Sequence, residues 1–153
     1  MAGFSVPLAQ LAAKVKLDLA TVTRKSTLEV FSAVVKKSPV DTGRFRANWN
    51  VSAGAVDTST TTSTNQGRAT QEVAKVVELP VGGVVYLANS LPYARVLEYG
   101  EYPNPPKMGS KKRGEDGVAV HVRGGFSMQA PAGMVRLTAI EFNDYVQKAI
   151  AEK

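Results

Sequence analysis

Apolar residues recur at helical spacing through the first part of the chain. Leu8, Leu11, Val15, Leu19 and Val22 step by three or four positions and line one face. Leu28, Phe31 and Val35 continue on a rotated stripe, so the second half should meet a different surface. The pattern predicts one helix from Val6 to Lys37, with Ser5 as its cap and Pro7 tolerated in the first turn. Ser38-Pro39 ends it, because a residue before proline is pushed out of the α region. A helix of about 32 residues would span nearly 50 Å. That is longer than a domain of this size needs, so part of it should project or pack on a neighbouring subunit.

The period then changes to two. Phe45, Ala47, Trp49 and Val51 alternate with Arg44, Arg46, Asn48, Asn50 and Ser52, which predicts a half-buried strand with the tryptophan facing inward. The Thr/Ser tract from Asp57 to Gln66 has no apolar anchor and reads, with residue 67, as a mobile surface loop. Ala69 to Leu79 fits either a helix or a strand; helix is favoured, with Pro80 and Gly82-Gly83 ending it. Val84 to Ala88 is strand-like. Pro92 opens a short helical turn through Tyr99 that Gly100 is placed to close.

Residues 101–127 read as an extended arm or β-hairpin, with a tip at Gly109 to Gly114 and alternation from Val118 to Arg123. A final helix is expected from Gly133 to Lys153, burying Val135, Ala139, Phe142, Val146 and Ala149 or Ile150. No repeat or linker divides the chain, so residues 1–153 are read as one domain.

Composition narrows the chemistry. With no cysteine, thiol catalysis, disulfides and zinc–thiolate sites are excluded. Neither a signal peptide nor a membrane span is expected. The net charge of +6 fits nucleic acid, an acidic protein partner, or solubility alone. Its placement says more: Arg44 and Arg46 stand by the first turn, and Lys107, Lys111, Lys112 and Arg113 cluster in the arm.

The sole histidine, His121, lies in an alternating strand pattern and suits a surface position better than a catalytic one. No metal-ligand spacing and no phosphate-binding loop is present, and no cofactor is expected. Asp41-Thr42-Gly43 reads as a rigid corner: Asp41 or Thr42 accepts from backbone N–H groups just ahead, and Gly43 takes a positive φ. On a strand, Arg44 and Arg46 would point the same way, free to grip a neighbour's carboxylates or a phosphate backbone. Arg95 and Glu98 are spaced for a surface ion pair, or, more sharply, for a salt bridge between subunits.

Three segments together resemble one family. Ser38-Pro39-Val40-Asp41-Thr42-Gly43-Arg44-Phe45-Arg46-Ala47-Asn48-Trp49 is similar to the helix-exit motif of neck or tail-completion proteins, which join head to tail in long-tailed bacteriophages. Asn89 to Ala94, with Leu97-Glu98-Tyr99-Gly100, resembles that family's second motif. Ser127 to Thr138, followed by Glu141-Phe142, resembles a third. They occur in the family's order.

The resemblance implies an α+β subunit: a long N-terminal helix and a C-terminal helix packed on a small antiparallel sheet, with a protruding loop or hairpin arm. It implies a virion structural protein without chemistry, made in the host cytoplasm and placed at the head–tail neck. The partners implied are ring neighbours (a homo-oligomer expected to be hexameric), the head-side connector, and the tail terminator or tail-tube proteins. Non-specific contact with DNA in the channel is left open, and the alternative reading is a small basic nucleic-acid-binding module. The candidate residues are then structural turns at Pro39, Asp41, Thr42, Gly43, Pro92 and Gly100. Subunit contacts fall to Arg44, Arg46, Arg95 and Glu98, and the basic arm to Lys107, Lys111, Lys112 and Arg113.

Overall fold

The computed structural model describes residues 8–102 and 122–152. Helix α1 runs from Leu8 to Lys37, as the 3-and-4 spacing predicts. Ser38 stops it in two ways: its Oγ donates to Val34 O (2.8 Å), and the proline that follows cannot continue the turn. The same Ser38 Oγ accepts from the Trp49 indole N–H at 2.8 Å, so the end of α1 is tied to the main core. That core gathers Val34, Val35, Phe45, Trp49, Leu97 and Met134, with Phe45 edge-on to Trp49 at 5.9 Å.

The architecture is α+β. Strands β1 (Asn50–Ala53) and β2 (Val85–Ala88) form a two-stranded antiparallel sheet in register Asn50↔Ala88. Between them lie α3 (Gly67–Ala74) and a 3-10 turn at Lys75–Val77, so the ambiguous 69–79 stretch is helical. Helix α4 covers Ala94–Tyr99 and is closed by Gly100 at φ +68°. A hairpin of β3 (Val122–Arg123) and β4 (Phe126–Ser127) turns on Gly124-Gly125. Lys107, Lys111, Lys112, Arg113 and His121 lie outside the described residues, as does most of the expected arm.

Three expectations are corrected. Residues 44–52 are not one strand: Arg44–Ala47 forms a single helical turn, α2, before β1 begins. Ala47 N–H donates to Gly43 O and the Asn48 amide to Arg44 O, and these bonds close the turn locally. The period of two misleads because Asn48 and Asn50 are as buried as the apolar residues beside them.

The Thr/Ser tract is a surface loop, as expected, but not an unanchored one. Its alternate side chains accept from the backbone N–H two residues ahead: Asp57 from Ser59, Thr61 from Ser63, Ser63 from Asn65, and Asn65 from Gly67. The buried amides hold it down, Asn48 pairing both ways with the Thr61 backbone (2.7 and 3.0 Å) and Asn50 donating to Ser59 O (2.7 Å). Polar side chains in the core replace the missing apolar anchor.

The C-terminal helix is two: α5 (Val135–Ile140) and α6 (Phe142–Ala151), broken at Glu141. Ala149 is buried as expected and Val146 half-buried, but Val135, Ala139 and Phe142 are exposed, and Met134 and Thr138 are buried in their place. Glu141 turns inward to the Lys37 ammonium, and the Tyr145 hydroxyl donates to the same carboxylate at 2.7 Å.

Helix α6 runs antiparallel to α1, with Lys148 paired to Glu29 (3.0 Å) and Lys25 to Glu152 (2.9 Å). The last α6 residues therefore lie level with Lys25. Beyond that level α1 loses its cover: residues 18–24 alternate between half-buried and exposed, and every residue from Leu8 to Leu17 is exposed. The overlong helix does project.

Candidate functional site

Gly43 turns the chain out of α1 into α2. Its φ is +93°, and a Cβ there would lie 2.5 Å from Thr64 O, so only glycine fits. Thr42, not Asp41, supplies the local acceptor: its Oγ1 receives the Arg44 N–H at 3.3 Å. Pro39 is buried, and Asp41 is exposed at the corner.

The two arginines that follow have different work, because they sit on a helical turn and not on a strand. Arg46 folds back on the end of α1. Its Nη2 donates to Ser38 O (2.7 Å) and Lys36 O (3.2 Å), and its Nη1 to Gln66 (3.0 Å). A cation on the terminal carbonyls of a helix satisfies groups that lack partners within it. Arg44 is exposed, and its Nε donates to Thr61 O at 3.4 Å.

The expected Arg95–Glu98 pair does not form. Arg95 is on the surface and pairs with Glu101 at 3.0 Å. Glu98 is buried, and its carboxylate accepts from the backbone N–H groups of Met134 (2.8 Å), Val135 (3.0 Å) and Arg136 (2.9 Å). The Arg136 guanidinium donates to Glu98 O at 2.7 Å and stacks over the Tyr99 ring. Burial alone would raise the Glu98 pKa. The three backbone donors and Arg136 outweigh it and hold that pKa below the ordinary glutamate value. Helical spacing could not show this, because the partner lies 36 residues downstream.

The three motifs meet. Asn89, in the second, donates to Phe45 O in the first at 2.8 Å. Gln129, in the third, exchanges two 2.9 Å bonds with the Val40 backbone in the first. Glu98 joins the second motif to the third. No family model, curated protein or solved structure matches the chain. What the motifs form is thus defined by these bonds: a three-way lock of polar side chains, with Glu98 buried, Asn89 half-buried and Gln129 at the surface.

Several of its parts were missed as single residues. Arg68 donates to Ala47 O (2.6 Å) and to Asn50 Oδ1 (2.8 Å), and Glu72 receives the Val51 N–H on the free edge of β1. The spacing of two from Asp57 to Asn65 was the one available signal for the tract, since Asp, Ser, Thr and Asn all cap the N–H two residues on. Among the described residues no cluster of His, Cys, Asp or Glu could hold a metal ion, and no helix is long and apolar enough to cross a membrane.

Proposed function

We propose that this chain is a structural subunit of the neck of a long-tailed bacteriophage, assembling as a ring that joins the head connector to the tail. The observation that carries the reading is the helix that outruns its own fold. Leu8, Leu11, Val15 and Leu19 keep an exposed apolar stripe on the part of α1 that no other element among the described residues covers. An apolar helical face left open on a small subunit fits a protein completed by its neighbours. The three motifs supply the rest of the support, because they occur in the family's order and interlock into one unit.

Of the four residues assigned to subunit contacts, Arg46 and Glu98 belong to the internal lock. Arg44 and Arg95 remain on the surface, and contacts between subunits are assigned to them and to the α1 stripe. The test is co-expression with the neighbouring connector and tail-tube proteins, followed by negative-stain microscopy. Rings at the connector–tube junction are expected; necks that complete without this chain would refute the assignment. Arg44→Glu should fold normally and fail to complete particles.

A further inference from the structure

The projecting stripe has a counterpart on the same chain. On another face of the subunit an open groove of about 220 Å³ is lined by Val30, Phe31, Val76, Leu79, Val81 and Phe142, among others. We infer that the α1 ridge of one copy, centred on Leu11 and Val15, seats in this groove of the next copy. The inference rests on the ring reading above and names its contact.

Four observations favour a second copy. Ridge and groove share one rod: at about 100° per residue the ridge residues and the groove residues Thr27, Val30 and Phe31 lie on α1 faces about 120° apart. The ridge therefore cannot bend back into its own groove, and only another subunit can join the two. A patch that fits a pocket elsewhere on the same molecule makes a head-to-tail contact, the kind that closes into rings. The ridge also continues an interface already formed, because Lys25, Glu29 and Lys37, which reach α6, project on the ridge side of α1.

Charge agrees. Lys14 and Lys16 flank the ridge on either side, while the exposed Glu78 directly precedes the groove residue Leu79 and the exposed Asp144 lies two residues after Phe142. The groove also holds a buried group that lacks a partner among the described residues, the Nε of Arg24.

Size sets the strength. Twelve helical residues are about 18 Å long and about 10 Å wide. Their face covers on the order of 200–300 Å², against about 800 Å² per partner in a standard interface. A free pair is weak; a closed ring, in which each copy makes the contact twice, is not.

The chain has no cysteine, so single thiols report the contact directly. Leu11 and Val81 are 49% and 39% exposed, and replacing either by cysteine leaves the core intact. L11C mixed with V81C, concentrated and oxidised, should give a disulfide-linked dimer several-fold above a control pair of L17C with V81C. Leu17 is more exposed, at 67%, but faces away from the ridge. The double variant should give a ladder of linked subunits. Self-linking of L11C in preference to V81C would mean that ridges pair with ridges, and equal linking of L17C would mean random collision. Either result, or no linking at all, overturns the inference. Rings that assemble with neck partners but lack the 11–81 bond would refute this contact and leave the neck reading standing. The bond in purified protein, with no ring in co-expressed necks, would do the reverse.

Discussion

The Glu98 carboxylate receives the Arg136 backbone N–H at 2.9 Å, and the Arg136 guanidinium returns a bond to Glu98 O at 2.7 Å. This reciprocal pair fastens the start of α5 to α4. Glu98→Ala leaves the N–H groups of Met134, Val135 and Arg136 without their acceptor, at a cost of about 3 kcal/mol. Urea denaturation should show the midpoint fall with an unchanged slope.

The same carboxylate makes stability depend on acid. Its folded pKa lies below the ordinary 4.5, so its contribution is fully present above that value and is lost as pH falls through the folded pKa. Glu141, lowered by its bonds from Lys37 and Tyr145, adds in the same direction. Denaturation from pH 7 down to about pH 3 should show a steep loss below about pH 4.5, and E98Q should flatten it.

Arg44 and Arg46 separate by their partners. Arg46→Glu removes the cation from the last carbonyls of α1 and sets a carboxylate against them, costing about 2 kcal/mol. Arg44→Glu should change stability by no more than about 0.5 kcal/mol. Thermal melts of the two variants check the difference.

Asn48 is the anchor of the Thr/Ser tract. Asn48→Ala should cost about 2 kcal/mol and release residues 57–66 to rapid amide exchange and proteolytic cutting. If exchange there stays as slow as in the parent chain, the anchoring role is wrong. Gly43→Ala tests the corner: with φ at +93° and Thr64 O in the way, a loss of about 1–3 kcal/mol is expected.

Local signals were legible in the sequence. The stripe of α1, the proline that ends it, β2, and the Pro92–Gly100 turn all follow from spacing and breaker residues, which act within a few positions. What escaped depends on distant partners. Asn48 and Asn50 read as surface residues because amides usually are, yet their bonds reach Thr61 and Ser59. Glu98 read as half of a surface pair because Arg95 stands three residues before it. The break at Glu141 was hidden because nothing in the helical pattern points to Lys37.

Helix α1 carries the ridge and one wall of the groove without interruption, so in the proposed ring its pitch fixes the angle at which one subunit meets the next. One alanine inserted between Leu19 and Thr23 would turn the ridge by about 100° and lift it by about 1.5 Å. Each subunit would still fold, since the insertion lies above the level of α6. The proposed ring would then lose its plane and climb, turning a closed circle into an open spiral.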